Sequence, residues 1–334
     1  MMSRKKVFVG QFMPDRGLAM LRQYFDVSYC DGASLSKEEF MVRAREVDAL
    51  VAFMTDYIDR DILANCPGLK VIASFGKGFD NIDVQACTRQ GILVTVNPDD
   101  LTASTAELAM TLLLALSRNV LPADTHIRAG HFQGWHPLHY LGSDVHGKTL
   151  GLVGFGAIGQ AIARRAKGFE VNIRYYDSNQ EAGAQCPDAQ FAELPDLLAE
   201  SDYVVIAVSL NPGSRHLLGA KEIALLKKGS YLINIGRGST VDEAAVAEAL
   251  LTNRLRGYAA DVFAFEDQSI GVRPAYINDK LLRCSDRTVF TPHLGTGTVE
   301  ARDRLSVSTA RQLISALKGA RPSGAVNYDA IYGV

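Results

Sequence analysis

An arginine, a glutamate and a histidine each stand where an apolar run gives way to a loop: Arg237 in NIGRGSTVDE, Glu266 in ADVFAFED and His293 in TPHLGTG. A guanidinium offers a planar fork to a two-oxygen anion, and an imidazole exchanges protons near neutral pH. A carboxylate beside that imidazole holds its tautomer and raises its basicity. Together they are the parts of a redox site for a small anionic substrate. Singly, each has a plainer explanation, as a surface ion pair, a solvated loop acid and a capped core histidine, so the inference rests on their joint placement. Lys77 lies between two glycines in FGKGFDNID, after the apolar run LKVIASF. It reads either as a solvated turn or as a second cation for the same anion.

A nucleotide site accompanies them. GFGAIG supplies Gly154, Gly156 and Gly159 at GxGxxG spacing, directly after a strand-like run and at the start of the helical QAIARRAKG. Such glycines permit a tight turn and bring backbone N–H groups close to a pyrophosphate at a helix N-terminus. Asp177, at the end of VNIRYYD, is placed to accept hydrogen bonds from ribose hydroxyls and to repel a 2′-phosphate. That implies NAD as cofactor, although Arg174 and Ser178 nearby leave room for a phosphate.

The elements that must position these groups form two alternating series. KVFVG, DVSYC, ALVAF, LKVIASF and ILVTV read as strands separated by amphipathic helices. A second set, KTLGLVGF, VNIRYYD, YVVIAVS, SYLINIG, GYAADVF and TVFTPH, does the same. Alternation at this interval implies parallel sheets covered on both faces, with ligands beyond the carboxyl ends of the strands. The expected fold is therefore α/β: two Rossmann-like doubly wound parallel-sheet domains with the active-site cleft between them. A helix from about Ser104 to Arg118 precedes the second series, and one from about Val299 to Lys318 follows it. Crossings near NPDDLTAS and TPHLG give a substrate domain of residues 1–100 and 294–334 and a dinucleotide domain of 101–293, the last helix returning to the first.

Composition narrows the partners. The 334 residues exceed what one hydrophobic core usually serves. Thirty-five basic against 37 acidic residues, without a basic run, leaves no electrostatic footprint for nucleic acid or an anionic membrane. The apolar segment LAMTLLLALS is about half the length that spans a bilayer. Five scattered cysteines without a CxxC pair read as reduced, hence a cytoplasmic protein. Partners are then a small anionic substrate and further copies of the chain, most simply a homodimer.

The motifs DNID, TAELAMTLLLALSR, GKTLGLVGFGAIG, NIGRGSTVDEAAV, ADVF and TPHLG, spread over essentially the whole chain, resemble the D-isomer-specific 2-hydroxyacid dehydrogenase family. The resemblance implies Arg237 for substrate binding, His293 as acid/base and Glu266 as its partner. It implies Asp261 as the residue that contacts the nicotinamide amide. Further cofactor contacts fall on Thr105, on Ala157 and Ile158 inside the glycine motif, on Ala207, Val208 and Ser209, and on Ile235 and Gly236.

Within that family, AFM ending at Met54, KGFDN from Lys77, LTASTAEL from Leu101 and GWHPLHY with Trp135 and Tyr140 look most like the members that oxidise phosphite to phosphate. The likeness implies substrate contacts at Lys77, Gly78, Met54, Leu101, Trp135, Tyr140 and Thr296. A dianion with an extra oxygen gives a second cation a physical purpose. Trp135 reads equally as a core or subunit anchor, and Met54 as core filling. Two positions depart from the phosphite pattern, Leu138 replacing an arginine and Thr296 a serine. The expectation is NAD-dependent phosphite oxidation. Its alternative is a D-2-hydroxyacid dehydrogenase that reduces a 2-keto acid such as glyoxylate, hydroxypyruvate or a phosphonate analogue. A nucleotide-sensing scaffold without turnover is a third reading, against which the joint retention of Arg237, Glu266 and His293 argues.

Overall fold

Strand-forming runs such as ALVA, VIAS and YVVI are buried at every position, as strands covered on both faces must be. In a computed structural model that describes residues 4–32, 35–98, 101–184 and 186–333, they assemble into two wholly parallel sheets. The chain divides into two compact units, Met1–Leu101 with Gln268–Gly271 and Thr296–Val334, and Thr102–Asp267 with Val272–Gly295. Asp99 and Asp100, at the expected first crossing, lie outside the described residues.

The first unit holds β1 (Lys6–Val9), β2 (Asp26–Tyr29), β3 (Ala49–Ala52), β4 (Val71–Ser74) and β5 (Leu93–Thr95), in the order β2-β1-β3-β4-β5. One face packs Val51 and Ala73 under Leu305, Leu313 and Leu317 of the helix Val299–Leu317. This helix crosses the helix Asp15–Tyr24 at Gly17, where a Cβ would lie 2.2 Å from the Ser306 carbonyl oxygen. Only a glycine allows that approach. The opposite face seats Phe8, Leu50 and Ile72 against Phe40, Ile62 and Leu63.

The second unit holds β6 (Thr149–Val153), β7 (Asn172–Tyr176), β8 (Ala189–Phe191), β9 (Tyr203–Ile206), β10 (Ser230–Asn234), β11 (Leu255–Ala260) and β12 (Thr288–Phe290), in the order β12-β11-β10-β9-β6-β7-β8. The strand order reverses at β6, so its carboxyl end is the switch point where such sheets take ligands. The helices Thr102–Ser117 and Ala157–Ala166 bury Leu112, Leu116 and Ile162 on one face, and Leu197, Val246 and Leu250 cover the other. LAMTLLLALS thus lies in a core helix, and among the described residues no helix is long and apolar enough to cross a membrane. Sequence patterning misses β8. It is three residues long at the sheet edge and carries no fully buried residue, so it has no periodicity to detect.

Candidate active site

Three loops of the second unit converge. After β12 the chain passes Thr291 and reaches His293 with φ 56°, a left-handed conformation that is uncommon for a side-chain-bearing residue. The His293 backbone N–H donates to Asp261 O at 2.9 Å and Thr291 O at 3.0 Å. The buried Asp261 carboxylate clamps the same loop, accepting from Thr291 Oγ1 at 2.5 Å, Leu294 N at 2.6 Å and Gly295 N at 2.8 Å. Burial pushes the Asp261 carboxyl up, against these donors and the nearby His293. Thr105 Oγ1 ties the adjoining helix to the loop through Gly295 O at 3.2 Å. So held, the His293 ring places Nδ1 2.9 Å from Glu266 Oε2. An ionised Glu266 makes Nδ1 the donor and leaves Nε2 to face a ligand.

Glu266 is itself fixed, since its Oε1 accepts from Phe263 N at 2.6 Å across the single turn Ala264–Glu266. Arg237 stands on the neighbouring loop after β10 between two glycines that permit close contact on either side. A Cβ on Gly236 would lie 2.5 Å from Val208 O, and one on Gly238 would lie 1.9 Å from the Phe263 carbonyl carbon. Asn234 Nδ2 and Thr240 Oγ1 both donate to Arg237 O, and Asp267 Oδ2 accepts from Ser239 N at 2.6 Å. The Arg237 and Glu266 loops therefore form one packed body.

The glycine motif has the shape a dinucleotide needs. Gly154 sits at φ 94° with Ala207 and Val208 within 3 Å of a would-be Cβ, and a Cβ on Gly159 would meet Gly154 O at 2.3 Å. At Gly156 the same construction meets only open space, beside the exposed Ala157 and half-buried Ile158 at the N-terminus of the helix Ala157–Ala166. That is an open cradle where backbone donors face outward. Ala207, Val208 and Ser209 follow β9, while Ile235 and Gly236 follow β10, all on the carboxyl edge beside it. Asp177 Oδ2 accepts from Phe155 N at 2.7 Å and Oδ1 from Asn179 N at 2.9 Å. Arg174 is paired with Glu200 at 2.7 Å, so the cation that sequence proximity offers to a 2′-phosphate is already engaged.

In the first unit, Lys77 and Gly78 occupy the bend after β4. Asn97 N donates to Gly76 O, Asn97 Nδ2 to Ser74 O, and Ser74 Oγ to Gly78 O, each within 3.0 Å. Neither Gly76 nor Gly78 is left-handed, and a Cβ on Gly76 would have ordinary room. Release of backbone strain is thus not why glycines flank Lys77. Half-buried, Lys77 makes no hydrogen bond or ion pair among the described residues. Met54 is half-buried after β3 and Thr296 half-buried at the start of the returning segment. Leu101 is buried and packed with Phe53 and Phe75.

Trp135 is 86% exposed on an arm that follows the helix Val120–Arg128, and Tyr140, at φ 52°, is 41% exposed. No hydrogen bond or ring contact among the described residues joins Trp135 or Tyr140 to His293.

A family model for D-isomer specific 2-hydroxyacid dehydrogenase, NAD binding domain, matches residues 110–295. A glyoxylate reductase of Thermococcus gammatolerans is 39% identical, covering 98% of this chain and 97% of its own. The chain belongs to the D-isomer specific 2-hydroxyacid dehydrogenase family. Among solved structures of similar fold, the TT0316 protein of Thermus thermophilus superposes with a TM-score of 0.85 at 34% identity, covering 96% of this chain and 99% of its own. A glyoxylate reductase of Paecilomyes thermophila does so with 0.84 at 28%, covering 98% and 99%.

As a member of this family the protein is an oxidoreductase that uses NAD, and the open cradle at Gly156 fits that cofactor. Sequence reasoning missed the residues beneath the site: Glu243, Asp267 and Thr291. VDE in NIGRGSTVDEAAV offered a signal for the first, but it reads as helix capping, which is what the adjacent Asp242 does for Ala244 and Ala245.

Proposed function

We propose that this dehydrogenase reduces small 2-keto acids of the glyoxylate type with NADH and oxidises the matching D-2-hydroxy acids in reverse. The observation that carries the reading is the 2.9 Å His293–Glu266 pair on a loop clamped by Asp261. The name glyoxylate reductase on relatives that match nearly the whole chain favours a keto acid over phosphite. Arg237 binds the substrate carboxylate with its guanidinium fork. His293 Nε2 donates a proton to the carbonyl oxygen in reduction and removes one from the hydroxyl in oxidation. Glu266 keeps the ring in that tautomer and stabilises the imidazolium. The nicotinamide, when bound, supplies or accepts the hydride. Lys77, Gly78, Met54, Leu101 and Thr296 are inferred to contact substrate, and Trp135 and Tyr140 to approach it from the exposed arm.

Lys77 keeps phosphite oxidation as a second reading, because a half-buried cation without a partner among the described residues suits a dianion. One comparison decides: NADH oxidation with glyoxylate, hydroxypyruvate and pyruvate, set beside NAD reduction with phosphite. The proposal expects glyoxylate or hydroxypyruvate to give the highest kcat/KM, and a higher value for phosphite would overturn it. The arm with Phe132, Trp135 and Leu138 exposed also suits burial against a second copy of the chain, and sedimentation would register a dimer.

A further inference from the structure

Glu243 is the first residue of the helix Glu243–Leu251 and is only 7% exposed, an unusual place for a carboxylate. Its Oε1 accepts from Ala264 N at 2.8 Å. That amide belongs to the single turn whose last residue is Glu266, and the preceding amide, of Phe263, is taken by Glu266 itself. On its other side the turn rests on Gly238, where a Cβ would come within 2.0 Å of Ala264 N. Glu243 and Gly238 thus grip the turn that presents Glu266 to His293. We propose that Glu243 is a positioning residue for the His293–Glu266 pair, fixing the Ala264–Glu266 turn and setting, by its own charge, the proton affinity of His293.

The surroundings of Glu243 make that charge variable near neutrality. Burial is the main cause of a rise to about 7, partly offset by the Ala264 N–H and reinforced by the carboxylates of Asp267, Glu266 and Asp242. The buried Tyr258 hydroxyl also faces it, its own ionisation pushed up by burial and by Glu243. Above neutrality Glu243 adds a negative charge beneath the pair, which favours the imidazolium. Below neutrality it is uncharged and the support weakens.

The inference rests on His293 being the acid/base of the proposed reaction, so its test needs a readout independent of substrate. Full-length protein labelled at the imidazole nitrogens is titrated by NMR, with the His293 signal identified by its loss in H293A. E243Q keeps an oxygen for Ala264 N but cannot ionise. Its His293 midpoint should fall, because the negative charge that favours the imidazolium is gone. The basic limb of kcat/KM for glyoxylate reduction should move down in parallel. E243A also loses the acceptor and should lower kcat roughly tenfold or more, with E243Q restoring most of that loss. A His293 midpoint in E243Q equal to wild type would overturn the electrostatic part, and wild-type kcat in E243A the positioning part. Should E243A fail to fold, E243Q alone decides. If no keto acid is reduced, the functional proposal falls, while the NMR midpoint still tests the coupling.

Discussion

At the scale of residues, the His293–Glu266 contact makes a graded prediction. His293→Ala should cut kcat by about two to four orders of magnitude, the usual worth of a positioned acid/base. Glu266→Gln should cost less and lower the His293 pKa, so the basic limb of keto-acid reduction moves to lower pH. Steady-state profiles from pH 5 to 10 check both, and a His293→Ala protein with near-normal kcat at saturating substrate would remove the histidine from the chemistry. Lys77 is tested by discrimination. Lys77→Ala should raise KM for phosphite about tenfold to hundredfold, the worth of a charge-assisted contact, and that for glyoxylate much less. Equal losses for both anions would deny the lysine any selectivity.

At the scale of elements, the site depends on loops packed backbone to backbone. Gly238 has no room for a side chain, because the Phe263–Ala264 peptide lies against it. Gly238→Ala should therefore force the Arg237 and Glu266 loops apart, at a cost of about 1–3 kcal/mol in stability, and lower kcat/KM for glyoxylate. Gly17→Ala, which drives a Cβ into Ser306 O of the first unit, is the companion measurement. It should lower Tm while leaving the NMR midpoint of His293 in place. If Gly238→Ala loses only stability and keeps kcat/KM, the packed loops are not what aims Arg237.

For the whole molecule, carboxyls raised by burial shape how stability varies with pH, with Asp261 acting in the same direction as Glu243 and Asp56. Glu243 titrates at about 7 and Asp56 at about 6, both because burial disfavours the charged form. The folded chain holds these protons at pH values where the unfolded chain has released them. Stability from this source is present at about pH 4 and is lost as pH rises through 6 and 7; for Glu243 the loss is about 3 kcal/mol. Asp48, Asp59 and Asp202, lowered by hydrogen bonds and lysine partners that outweigh burial, act in the opposite sense, but only as pH falls below the ordinary carboxylate range. Tm should therefore decline from pH 5 to pH 8, and Glu243→Gln with Asp56→Asn should flatten that decline. A double variant with the wild-type slope would place the titrating groups elsewhere.

Local rules in the sequence were enough for the strand and helix alternation, for the glycine motif with its Asp177, and for Arg237, Glu266 and His293 as loop residues after apolar runs. Each depends on neighbours a few positions away, such as a buried β-branched run, a turn glycine or a capping oxygen. The same local rules could not find Glu243, whose role comes from the Ala264 amide 21 positions on, nor the Asp261 clamp on a loop more than 30 residues later. Nor could they show that Leu101 packs in the core with Phe53 and Phe75, or that Arg174, which they left open to a phosphate, is paired with Glu200. Those outcomes are set by which distant groups desolvate one another, and only a chain folded on itself brings them within reach.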